Sequence, residues 1–204
     1  MNMLKNIIFD FGDILINLDK NAVAEGFKNL GLTEWNEDLQ LLNLAFEKGH
    51  ISECEFLTGI QKHLPNYNLE IIKEVWNSIL KDFPLYRLEF LEGIKDKYNL
   101  FLLSNTDFIH IQRVREDIGE AFYHRFINCF EKVYYSFEIK MRKPDAEIYE
   151  FVLKEQNLDP TETLFIDDRK DNIEAAAALG IQTWHLQVGE EDVVDLKKKL
   201  TQVL

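Results

Sequence analysis

Cysteine is nearly absent from this chain of 204 residues: there are 2, Cys54 and Cys129, far apart and without a paired spacing. That excludes a disulfide framework and a cysteine-built metal site, and it leaves reduced thiols of the kind a cytoplasmic protein carries. Basic residues are also in short supply, 23 Lys and Arg against 36 Asp and Glu, for a formal charge of −13. So acidic a chain repels polyanions, and nucleic acid is not expected as a partner. Its longest basic run, Lys197-Lys198-Lys199, has Asp192 and Asp195 beside it and reads as the solvated end of a helix. No apolar run approaches the roughly 20 residues needed to cross a bilayer. The opening Met1-Asn2-Met3-Leu4-Lys5 leads into a strand that Asp10 interrupts, not into a signal peptide. A soluble, unexported, cytoplasmic protein with no membrane partner is expected.

What the chain does have is apolar material, 46% of its residues, enough for one compact core with a modest insertion. Strand-like runs recur at Asn6 to Phe9, Leu100 to Leu103, Lys132 to Phe137, Thr163 to Ile166 and Gln182 to Leu186. Most are continuously apolar, the mark of strands buried on both faces. Helical patterns at Asp107 to Ile118, Ala146 to Gln156 and Asn172 to Leu179 separate them, the last closed by Gly180 as a C-cap. Alternating strands and helices predict an α/β fold with a parallel sheet.

The first two strands are separated by far more than the dozen or so residues a crossover requires. Apolar residues at helical spacing fill the gap: Ala22, Val23, Phe27 and Leu30, then Leu39 to Phe46, Glu53 to His63 and Leu69 to Leu80. The expectation is a doubly wound, Rossmann-like core of residues 1–17 and 84–204, with a small all-helical cap, 18–83, spliced in after the first strand. Hinges fall near Asn17 to Asp19 and Asp82 to Pro84.

In an open parallel sheet, ligands bind beyond the carboxyl ends of the strands. Asp10, Ser104-Asn105 and Asp167-Asp168 all fall at that edge, although each alone has an ordinary reading. Asp10 suits a turn, Ser104 and Asn105 suit a helix N-cap, and Lys143 before Pro144 suits the surface. Together they describe something else. Three carboxylates at one edge repel unless a cation neutralises them, and a hard oxygen donor set suits Mg²⁺. Ser104 and the Asn105 N–H, where a strand passes into a helix, are suited to an anion, and Lys143 can neutralise phosphate. Aromatic residues such as Phe27, Phe46, Trp76 and Phe90 read as core, and His110 and His124 receive no role.

Asp10 after an apolar strand, Ser104-Asn105, Lys143-Pro144 and Asp167-Asp168, in that order and with a helical insert, resemble the four motifs of the haloacid dehalogenase-like hydrolase superfamily. The segments Phe46 to Ser52, Leu103 to Thr106 with His110, Met141 to Pro144 and Asp167 to Glu174 resemble its branch of bacterial glucose-1-phosphate phosphatases. The resemblance implies an Mg²⁺-dependent phosphatase acting on a small phosphorylated metabolite such as a sugar phosphate. Asp10 would be the nucleophile, passing through an aspartyl-phosphate. Ser104, Asn105 and Lys143 would bind the phosphate, Lys143 also serving catalysis. The metal would touch the carboxylate of Asp10, the carbonyl of Gly12 and the carboxylate of Asp168. Asp167 would hold a metal-bound water, with Asp171 as an alternative. The cap segment Glu47-Lys48-Gly49-His50 resembles the loop that reaches down to the substrate.

Gly12 departs from the family pattern, which places a second aspartate there to protonate the leaving oxygen and then activate water. That step is worth typically 10²–10⁴-fold. Asp13 is displaced by one residue and reads as a turn residue. An anomeric phosphate, whose leaving hydroxyl is more acidic than a plain alcohol, would need the missing acid least. A haloacid dehalogenase, a phosphosugar mutase and a phosphosugar-binding protein without turnover are the alternatives that share these motifs.

Overall fold

The structure, a computed structural model, describes residues 3–202, so Met1 and Asn2 of the opening segment lie outside the described residues. Five strands form one sheet: β1 (Asn6–Phe9), β2 (Asn99–Ser104), β3 (Lys132–Tyr135), β4 (Thr163–Asp167) and β5 (Gln182–His185). All pair in parallel, in the order β3-β2-β1-β4-β5. Alternate residues enter two apolar layers. Ile7, Phe9, Leu100, Leu102 and Ile166 pack with Leu88, Leu91 and Phe126 on one face. Ile8, Phe101, Leu103 and Phe165 pack with Ile148, Tyr149, Val152 and Ala176 on the other. Each such side chain, fully buried, contributes about 1.5–3 kcal/mol.

Helices α1 (Ala22–Asn29), α2 (Glu37–Glu47), α3 (Glu53–Gln61) and α4 (Leu69–Asn77) follow β1. The starts of α2, α3 and α4 are written in the sequence. Asn36 and Asn68 accept the N–H groups of Leu39 and Ile71, and Ser52 and Glu55 form a reciprocal capping box. The four helices bury Phe27, Phe46, Phe56, Ile72 and Trp76 in an apolar cluster of their own. Ile109, from helix α6 (Phe108–Ile118) beside the sheet, inserts into that cluster. The two chain crossings between sheet and helices pair with each other. Leu18 bridges Leu80, the Asn17 N–H donates to Asp82 O at 3.0 Å, and the Asp19 N–H donates to Ile79 O at 2.8 Å. Buried Arg87 secures this ribbon by donating to Asn17 Oδ1 and to Asp192.

Two helices have no counterpart in the sequence reading: α5 (Leu85–Ile94) and α7 (Glu120–Ile127). In α5 the buried residues Arg87, Leu88, Phe90, Leu91 and Ile94 share one face, but a charged residue stands on that face while apolar Leu85 and Tyr86 are exposed, so the sequence shows no clear helical period. The strand expected to run to Phe137 instead stops at Tyr135 and turns into the short helix α8 (Ser136–Ile139). Its neighbour β2 ends at Ser104, opposite Tyr135, so further strand residues would have nothing to pair with. Helices α9 (Ala146–Glu155), α10 (Lys170–Ala178) and α11 (Leu196–Gln202) complete the chain, and Lys197 to Lys199 lie in the last. Among the described residues no helix is long and apolar enough to cross a membrane.

Candidate active site

The sheet order places the site. The chain builds outward from β1 to β2 and β3, then crosses to β4 on the other side of β1, and the C-terminal edge at such a switch is where a crevice opens. Phe9 lies opposite both Leu102 and Ile166, so the next residues along these strands, Asp10 and Asp167, stand side by side. The Asp10 N–H donates to Ile166 O at 2.9 Å, which extends the pairing and fixes the start of the turn.

Oxygens of Asp10, Asp167 and Asp168 lie within 4.8 Å of one another. Lys143, 1% exposed, puts its ammonium 2.8 Å from Asp10 Oδ1 and 2.7 Å from Asp167 Oδ2. Four motif residues scattered over the sequence therefore meet. Burial pushes the Asp10 carboxyl up to about 7, with Lys143 opposing the rise and Asp167 adding to it. Burial works against the Lys143 charge too, but the two carboxylates outweigh it and hold the ammonium above the ordinary lysine range.

Asp167 is fully engaged. Its Oδ1 accepts the Arg169 N–H at 2.8 Å and Asn172 Nδ2 at 3.0 Å, and its Oδ2 accepts Lys143 and Asn172. Asp171 lies apart from the cluster of three. Its carboxylate is bridged by Arg169 at 2.6 Å, which holds it below the usual carboxylate range. Ser104 is buried at the end of β2. The Asn105 side chain turns to the Lys143 backbone: Nδ2 donates to Lys143 O at 2.8 Å and Oδ1 accepts the Lys143 N–H at 2.9 Å. Asn105 thus brackets the segment that carries the lysine.

Gly12 keeps a negative φ, so its lack of a side chain is not a backbone requirement. A Cβ there would come within 2.7 Å of Leu18 Cδ1, and the space an aspartate would enter is filled by Leu18. Asp13 is held in the turn, at φ +57°, with its Oδ1 accepting the Leu18 N–H and its Oδ2 paired with Lys20.

Above this edge a cavity of about 360 Å³ opens between sheet and helices. Gly12, Ser104 and Asn105 line its floor, Val23, Trp35 and Trp76 supply an apolar side, and Asn43 and Glu47 add polar atoms. Burial holds the Glu47 carboxyl above its usual range, opposed by Arg142, whose guanidinium lies 3.0 Å away. The adjacent Lys48 pairs with Asp145 at 3.0 Å. At Gly49, φ +61°, a Cβ would overlap the Phe137 carbonyl, so only glycine lets this loop lie against the core.

Sequence reasoning missed Lys20, Asn172, Trp76 as cavity wall, and His110. The imidazole of His110 stacks on Trp76 at 5.2 Å, and Trp76 Nε1 donates to buried Asp107 at 3.0 Å. Asn172, five residues after Asp167, carried a legible signal, since one helical turn past a strand brings a side chain back over the strand end. Lys20 carried none.

The model of the haloacid dehalogenase-like hydrolases matches residues 4–180. The chain belongs to this hydrolase family. It is 29% identical, over 99% of both chains, to a D-ribitol-5-phosphate phosphatase of Bacteroides thetaiotaomicron. To the phosphorylated carbohydrates phosphatase of Thermotoga maritima it is 27% identical, over 88% of this chain and 83% of the relative. A haloacid dehalogenase-like enzyme of B. thetaiotaomicron, solved with magnesium and inorganic phosphate, superimposes with a TM-score of 0.83 at 39% identity, covering 92% of this chain and 96% of that one. As a haloacid dehalogenase-like hydrolase, the chain has the α/β core the motifs led us to expect.

Proposed function

We propose that this protein is an Mg²⁺-dependent phosphatase that hydrolyses a small phosphorylated carbohydrate through an aspartyl-phosphate on Asp10. The observation that carries the reading is the Lys143 ammonium shared between Asp10 and Asp167 inside a cluster of three carboxylates. A binding protein for an anionic ligand gains nothing from so much negative charge.

The donor set fits the metal. Asp10, Asp167 and Asp168 supply only oxygen, and the lysine within the cluster leaves it short of positive charge. Asp10, Asp168 and the Gly12 carbonyl would hold the ion. Asp167, with its oxygens taken by Lys143, Asn172 and the Arg169 N–H, is a support for Lys143 in this reading. When bound, Mg²⁺ supplies charge that offsets the phosphate and favours the ionised form of Asp10.

Asp10 attacks phosphorus in line, its Oδ forming the P–O bond as the P–O bond to the substrate alcohol breaks. Lys143 and Ser104 hold the phosphoryl oxygens, and Asn105 keeps Lys143 in place. Water then cleaves the acyl phosphate, releasing inorganic phosphate and restoring the Asp10 carboxylate. Residues 18–83 act as the cap, with Glu47 and Lys48 near the substrate's hydroxyl groups.

Carbohydrate phosphates are favoured by the names of two relatives and by the polar end of the cavity. Within that class the position of Gly12 bears on the leaving group. With Leu18 in the place of an acid, the chain should turn over glucose 1-phosphate faster than ribitol 5-phosphate, whose alcohol is a poorer leaving group. A panel of sugar phosphates, polyol phosphates, nucleotides and small phosphoesters, with and without chelator, tests both claims. Phosphate release should need Mg²⁺ and vanish in Asp10→Asn; release that survives chelation or the substitution refutes the reading.

A further inference from the structure

Lys20 has no part in the chemistry described above. It stands at the end of the first linker, just past the Leu18–Leu80 bridge and just before α1. Its ammonium lies 2.6 Å from Asp168 Oδ2 and 2.8 Å from Asp13 Oδ2. The two carboxylates are nearly buried while the lysine side chain is 57% exposed, so the cation closes the acidic cluster from the solvent side. Asp13 is fixed by its turn and by the Leu18 N–H. The bridge therefore joins three places: the turn after β1, the linker to the helices, and the carboxylate just past β4.

Among the described residues Lys143 pairs with Asp10 and Asp167 and Arg169 pairs with Asp171, while Lys20 is the cation in direct contact with the Asp168 carboxylate. An ammonium 2.6 Å from Asp168 Oδ2 and a dication on the same carboxylate repel each other, so each weakens the other's hold on Asp168. We propose that Lys20 is a positioning residue that competes with a divalent cation for Asp168, so that it sets the affinity of the acidic cluster and carries its occupancy into the linker. The inference rests on the metal-dependent reading but concerns affinity, not the chemical step. Lys20 also lines the cavity, so an ammonium leaving Asp168 remains at the mouth through which an anionic substrate enters.

The test is calorimetric titration of Mg²⁺ into the full chain without substrate, wild type against Lys20→Met. The variant should bind about two- to fivefold more tightly, since an ion pair this exposed is worth little more. The gap should narrow as ionic strength rises. Lys20→Arg, which keeps the charge, should bind as the wild type does. Asp13→Asn, which leaves the ammonium to Asp168 alone, should bind more weakly and serves if Lys20→Met folds poorly. In hydrogen exchange, Mg²⁺ should speed the amides of residues 18–22 in the wild type and leave them unchanged in Lys20→Met. Equal or weaker binding by Lys20→Met, or by Asp13→Asn equal or tighter binding, overturns the proposal. Failure of the wild type to bind Mg²⁺ overturns instead the metal reading beneath it.

Discussion

The ion pairs at the sheet edge and those that join the helices of residues 22–77 to the sheet region have similar lengths in different surroundings. On the sheet side, Asp10, Lys143 and Asp167 are 8%, 1% and 0% exposed, and each charge is met by a partner that solvent does not reach. Between the helices and the sheet region, the Lys48 and Asp145 side chains that pair at 3.0 Å are 29% and 47% exposed, and the Lys20 side chain that pairs with Asp13 and Asp168 is more open still. Coulombic attraction in a buried setting is several times stronger than at the surface, and breaking a buried pair leaves a charge stranded. Solvent and salt screen the exposed pairs. The buried pairs are therefore the firmer set; in the proposed mechanism they hold the groups for in-line attack, while the exposed pairs between helices and sheet region are weak enough to open for substrate.

Substitutions at graded depth would break this contrast if it is mistaken. Lys143→Met should have the largest effect, leaving Asp10 and Asp167 buried without their cation. A stability loss of about 3–5 kcal/mol by denaturant titration is expected. The rate should fall roughly 10²–10³-fold if the variant remains folded.

Next comes a matched pair. Asp167→Asn should lower kcat/KM about 10–100-fold by loosening the hold on Lys143. Asp171→Asn, which removes only the exposed pair with Arg169, should change it less than about twofold. Equal effects would mean that Asp171 serves the cluster as much as Asp167 does. Smallest of all, Lys48→Ala should cost about 0.2–1 kcal/mol of cap closure, seen as a rise in KM of no more than about fivefold with kcat unchanged. That rise should disappear in high salt.

The sheet side was legible in the sequence because its parts obey local rules. Apolar strands end in Asp10, Ser104 and Asp167, and a parallel sheet must bring such ends to one edge. What escaped the reading depends on side chains crossing between segments remote in sequence. Lys20 meets Asp168 only because the linker ribbon folds back over the edge, and no periodicity reports that. Trp76 read as core because it is apolar and at helical spacing, yet burial of its ring in the helical cluster also makes it a wall of the cavity. For Asn105 the sequence offers a backbone N–H to an anion; that its side chain brackets the Lys143 backbone, a contact across 38 residues, is the part no local rule reports. Gly12 was read as a missing acid. The structure adds that Leu18 takes the space, so Gly12→Asp alone must first displace it.

In the proposed mechanism the Asp10 carboxylate becomes covalently phosphorylated during turnover. Borohydride reduces an acyl phosphate to the alcohol, so quenching the enzyme at steady state with Mg²⁺ and a good substrate should convert residue 10 to homoserine. Peptide mass spectrometry should find that conversion in the Asp10 peptide alone. Rapid phosphate release with residue 10 recovered unmodified, and the same release by Asp10→Asn, would contradict the account.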